Sequence, residues 1–194
     1  RHQQRWPGPT AGSGSTLTVS LWQRLATVLR RQRWRAHLGT LLTVTAVLVG
    51  AHLWQTRHVP PGPVPDLPLV LSTGETTTLH AWRARHPGQP VALHVWAEWC
   101  PICRTEEHSI TRLHQDWPVL TLAMQSGGLQ PVQKVLEKRQ LPWNTAIDSQ
   151  GTLARSLGVQ SVPALLVLDT HGHIRAASVG YTSEIGMRLR MRWV

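Results

Sequence analysis

Apolar and polar residues follow two different periods along the C-terminal two thirds of the chain. Residues 90–97, PVALHVWA, form a near-continuous apolar run that is typical of a central strand buried on both faces. From Pro101 onward, Ile110, Leu113 and Trp117 recur at helical spacing. Because proline is favoured in the first turn of a helix, the pattern predicts a helix that begins directly after the strand.

The same criteria predict the remaining elements of a globular region. They are two short strands around a Thr-Gly turn in 67–82, a buried strand over 118–124, helices over 129–141 and 151–159, strands over 164–169 and 173–181, and a closing helix over 182–194. In the closing helix Ile185, Leu189 and Trp193 share one apolar face, and Thr182 or Ser183 can cap its start. This order predicts an α/β domain with a central mixed sheet and helices on both faces.

Charge is distributed very unevenly along the chain. Residues 1–65 carry eight Arg and no Asp or Glu, whereas the remainder has twelve Lys and Arg against ten Asp and Glu. The net charge of +10 therefore belongs almost wholly to the first third. A strongly basic protein invites a nucleic-acid interpretation. Here the basic residues form an arm beside an apolar span and not a patch on the domain, so we expect no nucleic-acid partner.

The apolar span at residues 36–55 contains no formally charged side chain. As a helix it would be about 30 Å long, the thickness of the hydrocarbon core of a bilayer. Four Arg lie just before it and only Arg57 follows, so the positive-inside rule places the N-terminus in the cytoplasm. One alternative is a cleaved signal peptide with a cleavage site at 49–51, for which the preceding basic stretch is long. The other is a buried core helix, which an apolar surface on all sides disfavours.

These observations predict four regions. They are a cytoplasmic basic tail (1–35), a single transmembrane anchor (36–56), a proline-rich linker (57–65) and a globular domain (66–194). Within the tail, residues 1–16 have the composition of a disordered segment, and SLWQRLATVLRRQRW (20–34) is predicted to lie on the inner membrane surface as an amphipathic helix.

Both cysteines of the chain, Cys100 and Cys103, lie at the predicted junction of strand and helix. Two intervening residues let both sulfurs meet across one helical turn, and the first sulfur would lie where backbone N–H groups stabilise a thiolate. This arrangement favours thiol–disulfide exchange. A zinc site would need two further ligands, which no paired histidine spacing nearby supplies. Two inert buried thiols or a purely structural disulfide are the remaining interpretations.

Two sequence motifs resemble those of a known family. VWAEWCPICR (95–104) resembles the thioredoxin active-site pattern W-A-x-W-C-x-x-C, and VQSVPALLVLDTHGHI (159–174) resembles the later signature of that fold. Together they are similar to the membrane-tethered thioredoxin-like proteins of Gram-negative bacteria, the TlpA/DsbE group. Within that group GYTSEIGMRLRMRW (180–193) resembles the C-terminal end of the suppressor-of-copper-sensitivity D subgroup of protein disulfide oxidoreductases.

The resemblance implies a thioredoxin-like fold and a role for several residues. Cys100 would be the attacking thiol and Cys103 the resolving thiol. Pro163 would be cis and would face Cys100, with the backbone of Val162 turned outward to pair with an extended substrate. Trp99 would form an apolar wall beside the two sulfurs.

His94 departs from the family pattern. In thioredoxin the residue six positions before the first cysteine is a buried Asp that is thought to accept a proton from the second cysteine. A neutral imidazole at His94 could do similar proton work, so it is a candidate proton acceptor. The alternative is a buried histidine that is hydrogen-bonded to the backbone. Glu98, Glu106, Glu107 and His108 are predicted to be solvated.

The resulting hypothesis is an enzyme, a protein disulfide oxidoreductase tethered to the bacterial inner membrane as a single-pass protein with its catalytic domain in the periplasm. Its partners would be periplasmic protein thiols and disulfides, with a membrane thiol reductase as electron donor. No cofactor or metal is expected beyond the redox-active Cys100–Cys103 disulfide. The alternatives are a cytochrome c maturation thiol reductase and a copper-binding or metallochaperone protein that uses the same cysteines.

Overall fold

The computed structural model describes residues 37–194, so the predicted tail (1–35) and its amphipathic helix lie outside the described residues. The chain divides after Gly50 into two units, and the second is Ala51–Val194. Helix α1 spans His37–Thr56 with a mean hydropathy of 1.4, and its apolar window is unburied. It is therefore not the core helix of a soluble domain, and by length and composition it is able to cross a membrane.

The second unit contains eight strands and five helices among the described residues. The strands are β1 (Gly62–Pro63), β2 (Pro68–Val70), β3 (Thr76–Thr78), β4 (Val91–Trp96), β5 (Val119–Met124), β6 (Thr145–Asp148), β7 (Ala164–Leu168) and β8 (His173–Val179). The helices are α2 (Leu79–Ala84), α3 (Pro101–Asp116), α4 (Leu129–Lys138), α5 (Thr152–Ser156) and α6 (Glu184–Arg192).

Six of these strands form one mixed sheet, in the order β1-β8-β7-β4-β5-β6. The pairs β4–β5 and β5–β6 are parallel, whereas β4–β7, β7–β8 and β1–β8 are antiparallel. Strands β2 and β3 form a separate antiparallel hairpin. The predicted mixed sheet and thioredoxin-like α/β fold are confirmed.

Strand β4 divides the core because successive side chains of a strand point to opposite faces. Leu93 and Val95 belong to one apolar cluster, whereas Ala92 and Trp96 belong to a second cluster that includes the buried residues of α3 and α6. Every residue of β4 is buried, as its continuous apolar pattern predicts. His94 shares the parity of Ala92 and Trp96, so the pleat directs it toward α3.

Two strands were not predicted from the sequence. Strand β6 is only four residues long, TAID, and it is buried because it pairs in parallel with β5 at the sheet edge. Strand β1 lies inside the predicted proline-rich linker, where Gly62 pairs with Ile174 of β8. Both depend on partners distant in sequence, which a local pattern does not contain.

Helix α6 packs against the domain through a different face from the one that its sequence pattern predicts to be buried. Met187 and Met191 are its buried residues, whereas Ile185, Leu189 and Trp193 are exposed. The sequence contains two apolar faces, and the more strongly hydrophobic one is on the solvent side. Ser183 is the N-cap of this helix, and its hydroxyl oxygen accepts a hydrogen bond from the backbone N–H of Gly186.

Candidate active site

The two cysteines form a disulfide at the N-terminus of α3. Cys100 is the N-cap of the helix in an extended conformation, and the Cα atoms of Cys100 and Cys103 are 5.4 Å apart. The backbone N–H of Cys103 donates to Sγ of Cys100 over 3.1 Å. Pro101 occupies the first helical position, where its missing N–H removes no helical hydrogen bond. When the disulfide is reduced, this N–H and the helix dipole would favour a thiolate on Cys100.

The start of β7 lies opposite this disulfide. The peptide bond between Val162 and Pro163 is cis, as the resemblance implied. The carbonyl oxygen of Val162 is 3.9 Å from Sγ of Cys100. The carbonyl oxygen of Pro163 accepts a hydrogen bond of 2.8 Å from the N–H of Gly180. The backbone of residue 162 is therefore held beside the first sulfur.

The loop before Cys100 is fastened to the end of β5. The indole N–H of Trp99 donates to the carbonyl oxygen of Gln125 over 3.1 Å, and the N–H of Glu98 donates to Oγ of Ser126 over 2.9 Å. These bonds hold Trp99 while most of its ring stays exposed. Ile102, between the two cysteines, is also exposed. Two apolar side chains therefore flank Cys100 in the sequence and remain accessible.

A buried ionisable pair joins β4 to the inward face of α3, one helical turn from Cys103 in the sequence. Nε2 of His94 and Oε2 of Glu106 are 3.3 Å apart, and their side chains are 1% and 2% exposed. The other carboxylate oxygen of Glu106 accepts a hydrogen bond from the backbone N–H of Thr182. Nδ1 of His94 is buried and has no hydrogen-bond partner among residues 37–194. The ring of Trp143 meets the imidazole edge-on at 6.0 Å between centroids.

The prediction that Glu106 is solvated is wrong. Cys103, Glu106, Ile110 and Leu113 are the buried residues of α3, and together they form its inward face. The spacing of Cys103, Ile110 and Leu113 already defines that face, so the inward position of Glu106 was available from the sequence. The alternative in which His94 bonds only to the backbone is also wrong, because its partner is this carboxylate.

Of the other charged residues predicted to be solvated, two are exposed and the third is not. Glu98 and His108 are exposed. Glu107 is partly buried and forms an ion pair of 2.8 Å with Arg139, which also donates to the carbonyl oxygen of Glu98. This bridge ties α3 to the end of α4. Within the described part of the chain, no group of three or more His, Cys, Asp and Glu side chains is placed to share one metal ion.

Chemically, the arrangement combines a sulfur at a helix N-terminus with a second sulfur one turn into the helix, and both cysteines are buried, at 4% and 2% exposure. Cys103 and Glu106 are one turn apart on the same face of α3. His94 reaches that carboxylate from β4, so two groups able to accept a proton lie on the inward side of α3 that also carries Cys103. The first sulfur lies at the helix N-terminus and 3.9 Å from the carbonyl oxygen of Val162. The site therefore separates a nucleophile from a thiol that must lose a proton.

Comparisons with known proteins find a matching family and several relatives that are similar in sequence. A model of the AhpC/TSA family matches residues 62–177. The thiol:disulfide interchange protein DsbE of Pseudomonas aeruginosa is 32% identical over 155 residues, which cover 76% of this chain and 83% of that protein. A thioredoxin-like protein of Haemophilus influenzae is 25% identical, covering 78% and 87%. DsbE of Escherichia coli is 31% identical over 94 residues, covering 48% and 51%.

Solved structures share the fold at lower sequence identity. The exposed lipoprotein thioredoxin Etrx1 of Streptococcus pneumoniae has a TM-score of 0.59 at 19% identity, covering 67% of this chain and all of that one. A DsbF homologue from Corynebacterium diphtheriae has a TM-score of 0.61 at 18% identity, covering 69% and 87%. The resemblance of residues 180–193 to the copper-sensitivity subgroup stays a prediction.

Proposed function

Because the chain belongs to the AhpC/TSA family and to its thioredoxin-like, DsbE-related members, we propose that it is a protein thiol–disulfide oxidoreductase that exchanges disulfides through Cys100 and Cys103. One observation carries this proposal: the two sulfurs are bonded at the N-terminus of α3, and the carbonyl oxygen of Val162 lies 3.9 Å from the first of them. An inert structural disulfide would not need an exposed apolar rim or a buried proton acceptor.

The exchange proceeds in two displacements. With the pair reduced, the Cys100 thiolate attacks one sulfur of a partner disulfide, and the other partner sulfur leaves as a thiolate. Cys103 then loses its proton and attacks Sγ of Cys100, which breaks the mixed disulfide and releases the second partner thiolate. The pair ends oxidised and the partner reduced. The reverse sequence oxidises a partner dithiol, and the reduction potentials of the two couples decide the direction.

The residues around Cys100 would bind the partner segment. An extended chain that places its sulfur on Cys100 would pass the outward backbone of Val162, whose carbonyl oxygen can accept a hydrogen bond from it. Pro163 holds this carbonyl in place. Trp99 and Ile102, close to Cys100 in the sequence, offer exposed apolar surface for the same segment. Since backbone contacts carry no side-chain information, such a groove suits many partners.

We assign proton acceptance to the pair of His94 and Glu106. Cys103 is buried, so solvent water cannot readily take its proton. The Glu106 carboxylate lies one helical turn away, and its bond to Nε2 fixes the orientation of the imidazole. His94 is then the candidate proton acceptor, and Glu106 is a positioning residue that holds it and balances the charge it gains.

The proposed location follows from α1. As a single-pass anchor it would leave the basic tail (1–35) in the cytoplasm and hold domain 66–194 through the linker 57–65 in the periplasm of a bacterial inner membrane. Periplasmic protein thiols would be the partners, and a membrane thiol reductase would resupply electrons. Among the described residues, no contact favours either of the narrower alternatives, cytochrome c maturation or copper binding.

Insulin reduction by the full chain in detergent tests this function. We expect Cys100→Ala to abolish reduction, because the attacking sulfur is lost. Cys103→Ser should instead accumulate mixed disulfides with partner proteins. The chain has only two cysteines, so every adduct of that variant is on Cys100 and can be identified by mass spectrometry. Full activity of Cys100→Ala would overturn the proposal.

A further inference from the structure

Helix α6 carries an apolar stripe that the domain does not cover. Ile185, Leu189 and Trp193 are 73%, 48% and 87% exposed, and they follow one another at four-residue intervals. We call these three residues the outer stripe of α6. Four-residue spacing places them on a single face of the helix. Large apolar side chains exposed in a row are a feature of binding surfaces and not of ordinary solvent-facing helices.

The outer stripe is not needed to hold the helix on the domain. Met187 and Met191 already bury the other apolar face of α6 against the core. Ion pairs also join α6 to α3, because Arg188 binds Asp116 and Arg112 binds Glu184. A helix fixed in this way keeps its outer stripe available to something outside the domain.

The charge around the stripe is positive. Arg188, Arg190 and Arg192 alternate with the apolar residues, and Glu184 is the one acidic residue over 184–194. Arg192 has no polar partner among the described side chains. Arginines beside a face of Ile, Leu and Trp are typical of a helix that lies in the interface of an anionic bilayer. An acidic, lipid-like surface therefore fits both the charge and the apolar residues.

The position of α6 in the domain also brings it within reach of a membrane. Strand β1 is paired with β8, and only residues 57–61 separate it from the end of α1, a reach of at most about 18 Å. Arg190 lines one surface hollow together with Val59 and Pro61, and a second hollow together with Trp193. The C-terminal end of α6 thus lies beside the short tether.

We propose that the outer stripe of α6 seats on the anionic lipid surface of the membrane that α1 crosses. The proposal rests on the transmembrane anchor of the proposed function. The tether keeps the domain at a high local concentration near the bilayer, so a weak surface contact is sufficient. Such a contact would hold the domain in one orientation and fix the height of Cys100 above the membrane.

The test uses the full chain in lipid nanodiscs, with 5-fluorotryptophan in place of tryptophan. The fluorine resonance of Trp193 is assigned as the one lost in Trp193→Phe. We expect a doxyl-labelled lipid to broaden this resonance by at least about twofold when the disc contains phosphatidylglycerol, and less in a phosphatidylcholine disc. A water-soluble gadolinium chelate should broaden the resonance of exposed Trp99 and spare that of Trp193.

Two variants separate the stripe from general effects. Ile185→Ser with Leu189→Ser should reduce the lipid-induced broadening at Trp193, and the serines are tolerated because both positions are exposed. Val70→Ser, at an exposed apolar position of β2, is the matched control and should leave it unchanged. Insulin reduction by the same samples reports the proposed function independently.

Each other outcome overturns the proposal. Broadening of the Trp193 resonance by the chelate and not by the labelled lipid would show that the outer stripe is exposed to water. Protection from both reagents would mean that protein covers it, whether a second copy or another segment. Trp54 lies near the end of α1 and reports insertion. If the labelled lipid does not broaden the resonance of Trp54, α1 is not inserted in the bilayer. The proposed transmembrane anchor and the proposed surface contact are then both wrong.

Discussion

At the scale of single residues, the two sulfurs of the site have different surroundings. Cys100 accepts a backbone N–H at the start of α3 and faces the carbonyl oxygen of Val162. Cys103 lies deeper, one turn from a carboxylate that is itself bonded to His94. A nucleophile that must stay ionised and a thiol that must give up a proton need these opposite surroundings. The pair His94–Glu106 is therefore expected to affect the second step and not the first.

Glu106→Gln tests that separation. The amide oxygen of Gln can still accept from Nε2 of His94, but the negative charge that balances a protonated imidazole is lost, so the decay of a preformed mixed disulfide should slow by about tenfold or more at neutral pH and shift its pH midpoint. The rate at which iodoacetamide alkylates reduced Cys100 should change much less in the same variant. His94→Asn should reproduce the slow decay. Single-turnover decay across pH 5 to 9, a range chosen to span about two units around an ordinary imidazole pKa, is the measurement.

The matched control is the next residue, Glu107→Gln. That carboxylate is paired with Arg139 and is only partly buried, so its loss should leave both steps unchanged. A merely structural role for Glu106 would lower the melting temperature without moving the pH profile. Identical pH profiles for wild type and Glu106→Gln would mean that the buried pair has only a structural role.

At the scale of elements, two connections fix where strands and helices meet. The turn between β7 and β8 is organised by Asp169, whose carboxylate accepts from the backbone N–H groups of His171 and His173 and from Nε of Arg175. Burial alone would raise the pKa of Asp169. The hydrogen bonds of His173, Arg175 and His171 outweigh burial, and the pKa lies well below its usual range.

Acid should therefore weaken this turn. A carboxyl group whose pKa is depressed by folding contributes stability above its unfolded pKa of about 4, and that contribution is lost as pH falls toward the folded value. Asp169→Asn should cost about 1–3 kcal/mol at neutral pH, and the difference from wild type should shrink below pH 4. Thermal unfolding at a series of pH values measures it. Glu137→Gln, on the exposed face of α4, should show no such difference at any pH.

The second connection is the close approach of the tether to the end of α5. Gly158 has a φ of +77°, and a Cβ at this position would overlap the carbonyl oxygen of His58. Gly158→Ala must therefore move the segment at His58 and Val59. We expect a loss of about 1–3 kcal/mol in the free energy of unfolding, read from the melting temperature.

Gly74→Ala is the control for the backbone alone. Gly74 has a similar φ of +87°, but no atom lies within 4 Å of the place that a Cβ would occupy there. It should show the conformational penalty without the clash. Equal losses for the two variants would mean that the approach of His58 contributes nothing.

The sequence predicted elements best where one local pattern was sufficient. The apolar run of β4 and the helix at Pro101 are confirmed, and the cis Val162–Pro163 bond agrees with what the family resemblance implied. Strand β6 was missed because its pairing with β5 is distant in sequence. The face of α6 was assigned wrongly because the helix is apolar on two sides, and only the packing of the sheet decides which side is covered.

At the scale of the whole molecule, charge and hydrophobicity divide the chain into parts with different surroundings. Eight Arg and no acid precede residue 66, whereas the domain beyond is nearly balanced. Helix α1 lies between these regions and is exposed along its length, although it is apolar. An apolar helix that the described chain leaves uncovered fits the membrane anchor of the proposed function. The same logic applies, on a smaller scale, to the outer stripe of α6.

The orientation of the proposed anchor gives the last prediction. Arg30, Arg31, Arg33 and Arg35 precede the span, so they should hold the N-terminus in the cytoplasm and place Cys100 on the far side. In a Cys103→Ser background, a membrane-impermeant maleimide should label Cys100 in intact spheroplasts. Replacing the four arginines by Gln should reduce this labelling by at least about half, because Arg24 before the span and Arg57 after it would then remain and nearly balance each other.

Arg5→Gln is the matched control for charge. It removes the same type of charge far from the span, where loop charges have little influence on orientation, so labelling should stay at the wild-type level. Labelling that appears only after permeabilisation would place the domain in the cytoplasm. There, a reducing environment would keep the pair as thiols, and disulfide exchange with secreted partners would be excluded. The topology of one helix therefore decides which thiols and disulfides the site can reach.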